Sequence, residues 1–299
     1  MGTIKSSNLC CEILEYTSPD EVAVCNLASV CLPKFVLADG TYDFKKLHEV
    51  CRTITKNLNR IIDNNYYPIP EARYSNMKHR PIGIGIQGLA DTLILMKIAY
   101  EDDAAEKLNA EIFETMYHAS MEESVELAKV EGHYESFKGS PLSEGKFQFD
   151  LWNEKPATDR YDWDTLRKDV MKHGARNSLL IAPMPTASTA QIMGNNESFE
   201  PYTTNIYTRR VLAGEFVCVN PHLVKHMIEL GLWNADTRNK LVADQGSVQK
   251  IAGLPDKFKN IYKNIWEISQ KKLIKLARAR APYICQSQSL NIYFAEPSL

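Results

Sequence analysis

The six residues Asn8-Leu9-Cys10-Cys11-Glu12-Ile13 set an amide, a thiol and a carboxylate at alternate positions. In an extended chain, side chains point alternately to opposite faces. Asn8, Cys10 and Glu12 therefore share one face, and Leu9, Cys11 and Ile13 the other. A thiol between a proton acceptor and a hydrogen-bonding amide can do redox or acid–base work on a bound substrate. The plain structural alternative is a half-buried strand on whose polar face a thiol falls by chance. Nucleophilic catalysis fits poorly, because thiolate formation near neutrality needs a positive neighbour. The histidine nearest in sequence is His48, on a helix, and a carboxylate beside the thiol opposes its ionisation. Cys25, in the strand-like run Glu21 to Ser29, supplies a second thiol fifteen residues on, which suits redox exchange.

Composition narrows the classes around this constellation. The 299 residues suffice for a sizeable core, and 35 Lys+Arg against 37 Asp+Glu disfavour a partner held by counterion release, such as nucleic acid. No apolar run reaches membrane-spanning length and no secretory leader is visible, so the chain reads as cytoplasmic with no membrane partner. Met1-Gly2-Thr3-Ile4-Lys5-Ser6 fits the myristoylation pattern by letter, but nothing polybasic follows it. Seven cysteines, five of them among the first 51 residues, make an odd count that argues against a disulfide framework. No histidine sits in a Cys/His cluster of zinc spacing, so no metal is expected. His222 and His226 are four apart but lack the glutamate of a metalloprotease helix; behind Asn220 and Pro221 they read as surface histidines. Gly83-Ile84-Gly85-Ile86-Gln87-Gly88 matches a dinucleotide fingerprint by letter. The polar segment before it ends in Pro81 and shows no entering strand, so close backbone packing is the better reading.

The elements that must position these groups follow from periodicity. Apolar residues at three- and four-residue spacing predict a helix from Asp43 to Asn64, with Cys51 in its buried stripe. Further helices are predicted over Leu89 to Lys97, Ala104 to Glu131 with a left-handed stop at Gly132, and Asp162 to Lys172. Asn177 to Ala182 reads as a strand buried on both faces, followed by Pro183-Met184-Pro185 and the hydroxyl-rich helix start Thr186-Ala187-Ser188-Thr189. One last long helix is predicted from Asp256 to Ala279, its basic end (Lys271, Lys272, Lys275, Arg278, Arg280) complementing the dipole and facing solvent. Short buried strands between amphipathic helices place the chain in the α/β class.

Six motifs then carry a resemblance: Ser7-Asn8-Leu9-Cys10-x-Glu12, Val22 to Ser29, Arg80-Pro81-Ile82-Gly83-Ile84-Gly85, Ala182 to Thr189, Gly194-Asn195-Asn196-Glu197-Ser198 and Tyr207-Thr208-Arg209-Arg210. In this order they resemble the motifs of the large, catalytic subunit family of class I ribonucleotide reductase, of the eukaryotic type. The resemblance implies part of a ten-stranded α/β barrel, incomplete at both ends, with residues 1–299 forming the C-terminal portion of the catalytic barrel domain. It implies reduction of ribonucleoside diphosphates to deoxyribonucleotides for DNA synthesis. Cys10 would be the transient thiyl radical that takes the ribose 3′ hydrogen, Glu12 the acceptor of the 3′-hydroxyl proton and Asn8 a hydrogen-bond partner of the sugar hydroxyls. Cys25 would be half of the dithiol that reduces the intermediate, and Thr186, Ala187, Ser188 and Thr189 the substrate-phosphate segment. A hydrogen-atom carrier needs no thiolate, so the adjacent carboxylate is tolerable.

The resemblance further implies no cofactor in this chain, a di-iron/tyrosyl-radical small subunit as partner, thioredoxin or glutaredoxin as reductant, a large-subunit homodimer, and ATP, dATP and dNTP effectors bound upstream. The redox partner of Cys25, the regulatory sites, the radical-relay tyrosines and the C-terminal cysteine pair have no counterpart here. The chain is therefore expected to be an internal piece, catalytically silent alone. Cys11 and Cys31 stand outside the family pattern and read, with Cys51, as packing residues. The alternatives are a non-catalytic homologue or interaction fragment, or another thiyl- or glycyl-radical enzyme on the same barrel; no glycyl-radical loop is visible near the C-terminus.

Overall fold

The computed structural model describes residues 2–295, so Met1 of the acylation pattern lies outside the described residues. In chain order the elements are β1 (Leu27–Cys31), α1 (Phe44–Asn64), α2 (Pro70–His79), β2 (Gly83–Gln87), α3 (Leu89–Leu95), α4 (Asp103–Glu131), α5 (Gln148–Leu151), α6 (Trp163–His173), α7 (Ala187–Met193), β3 (Ile206–Val211), β4 (Gly214–Val219), α8 (Pro221–Glu229), α9 (Ala235–Ala243), α10 (Asp256–Ile261) and α11 (Gln270–Arg280).

β1 and β2 pair in parallel from Leu27 opposite Gly83 to Cys31 opposite Gln87. Parallel strands need a crossover, and α1 and α2 supply it. On the other side of β2 runs the segment expected as a buried strand. Ile82 N–H donates to Leu179 C=O (3.0 Å), Ile84 N–H to Leu180 C=O (2.8 Å), and Ala182 N–H to Ile84 C=O (3.2 Å). Its pairing is a single parallel bridge, Ile84 with Ile181, rather than a full ladder. The glycine-rich run is thus itself the middle strand, buried along its length. A Cβ on Gly83 would come within 2.6 Å of the Leu27 side chain, and one on Gly85 within 3.1 Å of the Pro183 backbone. Close packing, as expected, accounts for the glycines.

Ile82, Ile84 and Ile86 are packed in one core with Leu47, Cys51, Leu58 and Ile62 of α1 and Ile112, Phe113 and Met116 of α4. Each such side chain contributes about 1.5–3 kcal/mol over leaving it in water. Asp43 caps α1 by accepting from Lys46 N–H (2.9 Å). Arg80, in the left-handed conformation at the end of α2, sends its guanidinium under α1 to Asp63 (2.7 Å) and the Asn59 carbonyl (3.2 Å). A second, smaller core joins Ile94 at the end of α3 to Leu223, Met227, Leu241 and Tyr262. β3 and β4 form an antiparallel hairpin with mostly exposed residues.

The structure corrects four expectations. The helix expected over Asp256 to Ala279 is broken between Ile261 and Gln270. Across the break the Asn264 side chain accepts from Trp266 N–H (3.1 Å), Glu267 accepts from Asn264 N–H (2.9 Å) and Glu101 from Ser269 N–H (3.1 Å). These side chains satisfy the donors that a continuous helix would have used, and Trp266 is left exposed. Arg280 does not face solvent: it is buried, donates to Gln288 (2.6 Å) and lies 3.6 Å over the Phe199 ring. Gly132 ends α4 at φ 80°, ψ 159°, outside the left-handed helical region. His222 and His226 are half-buried, His222 against Asp91 (3.0 Å) and His226 against the Tyr262 hydroxyl (2.5 Å).

Candidate active site

Residues 8–12 are not extended. Cys11 N–H donates to Asn8 C=O (3.2 Å), closing a turn with Leu9 and Cys10 at its tip, and Cys11 takes φ 66°. The Asn8 side chain explains the turn: its Oδ1 accepts from Ile13 N–H (3.1 Å) and draws the chain back on itself. The shared face inferred from alternation therefore fails locally. Cys10 is half-buried and Leu9 almost wholly exposed, while Cys11 is exposed rather than packed.

Past the turn the chain is clamped by the C-terminal segment. Ser287 N–H donates to Glu12 C=O (2.9 Å), and Leu14 N–H to Gln286 Oε1 (3.1 Å), while Gln286 Nε2 reaches Ile82 C=O (3.2 Å). The main chain of Glu12 is thus held while its carboxylate is buried with Oε2 lacking any hydrogen-bond partner among the described residues. A buried acceptor left open in this way is costly unless something else fills it.

Cys25 stands two residues before β1, on backbone pinned by its neighbour Asn26. That side chain donates to Asn76 Oδ1 (2.8 Å) and Pro81 C=O (2.9 Å), and the main-chain carbonyl of Asn26 accepts from Gly83 N–H (2.9 Å). The Cys25 thiol is pushed above the usual cysteine value, first by desolvation and then by the charges of Glu15, Glu12 and Cys10. Those influences place the two candidate thiols and both carboxylates in one neighbourhood. A thiol so raised stays protonated at neutral pH, the form that donates a hydrogen atom.

Glu15 went unnoticed in the sequence. Burial pushes its carboxyl up to about 8, against the lowering pull of hydrogen bonds from Val24 and Gln286. The available signal was its position: continued alternation puts Glu15 on the apolar side with Ile13, where a carboxylate has no ordinary reason to be. It also lines a 380 Å³ cavity behind the loop, together with Leu14, Tyr117 and Cys285.

The hydroxyl-rich segment starts α7. Thr186 precedes the helix at φ 60°, ψ 27°, and its buried hydroxyl accepts from Ser198 N–H (2.8 Å). Ala187, Ser188 and Thr189 are exposed, and their N–H groups fall in the first turn, where helical acceptors are missing. Thr189 Oγ1 lies 3.4 Å from Ser29 Oγ on β1, which also accepts from Gln87 (2.8 Å), so this helix start faces the strand that follows Cys25. The Gly194 to Ser198 motif buttresses both helix starts: Asn196 C=O accepts from Gly88 N–H (2.9 Å) and Ser198 C=O from Leu89 N–H (3.2 Å).

Of the other early cysteines, Cys51 is in the core and Cys31 is half-buried with Asn195 donating to its sulfur (2.9 Å). Among the described residues no helix is long and apolar enough to cross a membrane.

The family model of the ribonucleotide reductase barrel domain matches residues 1–299. The ribonucleoside-diphosphate reductase large subunit of Plasmodium falciparum (isolate Dd2) is 60% identical over 299 residues, all of this chain and 37% of that protein. The large chain from Schizosaccharomyces pombe is 59% identical over 298 residues, all of this chain and 36% of that one. The chain thus spans a little over a third of the length of these relatives. Among solved structures, the Actinobacillus ureae class Id ribonucleotide reductase alpha subunit superposes with a TM-score of 0.73 at 28% identity, over 99% of this chain and 49% of that one. With its parallel β1–β2 core and its cysteine-bearing turn, this chain belongs to the ribonucleotide reductase barrel-domain family.

Proposed function

We propose that this chain is the part of a ribonucleoside-diphosphate reductase large subunit that carries its radical and reducing chemistry. The observation that carries the reading is the neighbourhood of Cys10, Glu12 and Cys25: a thiol at a turn tip, a buried carboxylate oxygen with no partner among the described residues, and a second thiol kept protonated. A ribose entering here gives Glu12 the hydrogen bond it lacks. Cys10, as a thiyl radical generated with the small subunit, takes the 3′ hydrogen atom while Glu12 accepts the 3′-hydroxyl proton. The 2′-hydroxyl leaves as water, and Cys25 with a second thiol supplies two hydrogen equivalents and becomes a disulfide. Asn8 spends its carbonyl oxygen on the loop, which leaves its amide N–H groups for the sugar hydroxyls.

The diphosphate is assigned to the Thr186 to Thr189 segment. Its support is the exposed first turn of α7 together with the left-handed Thr186 that aims it, and the hydroxyls of Ser188 and Thr189 add donors. A thioredoxin or glutaredoxin would restore the dithiol, a second large subunit would complete the dimer, and nucleotide effectors would bind outside this segment.

In the complete large subunit assayed with its small subunit, Cys10→Ser should reduce deoxynucleotide formation to background while nucleotide binding stays within about twofold. Persistent turnover would remove Cys10 from the radical role. Bulky apolar substitutions at Ser188 and Thr189 should raise the substrate KM more than they lower kcat; an unchanged KM would return that segment to helix capping. The 299 residues alone should show no turnover with a chemical reductant, and measurable turnover would overturn the need for parts outside them.

A further inference from the structure

The helix pair α1 and α4 brings together two histidines that lie seventy residues apart in the chain. His48 Nε2 is 2.9 Å from His118 Nδ1 and 3.8 Å from an oxygen of Glu122, one turn further along α4. One nitrogen from each histidine and one carboxylate oxygen all fall within 4.8 Å of one another. A tetrahedral zinc ion with ligands at 2.0–2.1 Å holds its ligand atoms about 3.3 Å apart. The two shorter separations straddle that value and meet it with shifts of about half an ångström.

The surroundings are built rather than accidental. Tyr161 stacks on the His118 ring (centroids 4.4 Å, planes 17° apart) and on the His48 ring (5.4 Å, 22°), and Trp163 meets His118 edge-on (4.9 Å). Burial is the main cause that holds both imidazoles below the ordinary histidine value, His118 at about 3, so both are neutral. His48 Nε2 and His118 Nδ1 share a hydrogen bond, so one of them carries a proton; a cation between them takes both lone pairs once that ring moves its proton to its other nitrogen. Glu122 Oε2 is buried and makes no hydrogen bond; Arg52 comes within 3.1 Å of it off-axis, while its own Nε donates to Glu123 (2.9 Å). Arg52 therefore keeps a partner when the Glu122 carboxylate turns to a cation. The three groups open on a 520 Å³ cavity lined by five carboxylates, Glu122 among them, against Lys45 and Arg160. Glu49 is already paired with Lys46, and Glu126 and Asp169 with Lys129, so the two imidazoles and the open Glu122 oxygen carry the site, and the open side leaves room for water as a further ligand.

We propose that His48, His118 and Glu122 bind one divalent transition-metal ion of the zinc class and so clamp α1 to α4. Two imidazoles and one carboxylate suit zinc, cobalt or nickel far better than magnesium or calcium, which take oxygen ligands. The expectation of no metal rested on spacing along the sequence; the fold supplies the spacing that the sequence lacks.

The test is titration of the purified protein with Zn²⁺ and with Co²⁺, alongside His48→Ala and Glu122→Gln. One equivalent should bind, Co²⁺ should give visible bands free of thiolate charge transfer, and either substitution should weaken binding by about tenfold or more. Zn²⁺ should also raise the thermal midpoint of the parent protein and leave that of Glu122→Gln unmoved; the Glu122 side chain is one-third exposed, so this variant keeps the fold. Equal affinity in parent and variants, a thiolate band, or no binding by the parent would each overturn the site.

Discussion

The cysteine-bearing loop and the α1–α4 helix pair each gather titratable groups at close range, and they hold them by opposite means. In the loop the main chain is fastened, through Asn8 to Ile13, Ser287 to Glu12 and Gln286 to Leu14, and the side chains of Cys10 and Glu12 remain unspent. Between the helices the main chain needs nothing more, and side chains do the holding: both histidine rings stack on Tyr161 and Arg52 is spent on Glu123, which leaves an oxygen of Glu122 open. A group that must meet a substrate has to be placed without using its own hydrogen-bonding capacity. A group that holds a fold together can use all of it.

The sharpest way to break this contrast is Glu12→Gln in the complete large subunit. Turnover should fall by about 10²- to 10⁴-fold, the usual worth of a positioned proton acceptor, while the thermal midpoint holds or rises because a buried carboxylate without a partner has been made neutral. A large loss of stability with modest loss of turnover would mean that Glu12 is structural. The opposite signature is expected of Arg80→Ala. It removes the hydrogen bonds to Asp63 and Asn59 that tie α2 to α1, and denaturant unfolding should show a loss of about 2–3 kcal/mol, since Asp63 is exposed enough to be rehydrated. KM for the nucleotide should stay within about twofold; a selective KM change would place Arg80 with the substrate.

Legibility divides along the same line. α1 and α4 could be read within a residue of their ends: in α1 an apolar stripe repeating every 3.6 residues records the buried face and Asp43 marks the start, whereas α4 is buried all round through its middle and was marked by its stop at Gly132. The middle strand was legible only as tight packing, since its glycines answer to Leu27 and Pro183 from elsewhere in the chain. The turn at Cys10 was misread as extended because an Asn8 to Ile13 bond leaves no trace in alternation. The break before α11 was missed for a similar reason: Asn264, Glu267 and Glu101 replace helical acceptors one at a time. The roles proposed for Cys10, Glu12 and Cys25 start from their residue types and spacing, whereas Glu15 and the meeting of His48 with His118 are products of folding.

Glu15 gives a smaller effect, readable against pH. Its carboxyl, ordinarily near 4.5, is raised to about 8 by burial, so between those values the folded chain holds a proton that the unfolded chain has released. Stability therefore declines as pH rises through that window, and the contribution is complete only below it. Glu15→Gln copies the protonated form. The thermal midpoint of the variant relative to the parent should climb from pH 5 to pH 8, and a pH-independent difference would mean that the carboxyl is ionised throughout.

Cys11 offers the smallest change and the closest control, because it adjoins Cys10 in the same turn. Its side chain is exposed, makes only a 3.9 Å contact to the Leu9 carbonyl, and sits at φ 66°. Cys11→Gly relieves the left-handed strain of about 1 kcal/mol but gives the unfolded chain more freedom, worth about 0.4–1 kcal/mol, so the two nearly cancel. Stability should move by less than about 0.5 kcal/mol and turnover by less than about twofold. In the parent a bulky thiol reagent should label Cys11 well before Cys51, which is buried and held far above the usual cysteine value. If Cys11→Gly instead abolished turnover, the loop would be using both of its adjacent thiols, and the separation between a reacting side chain and a merely supporting one would fail at the turn itself.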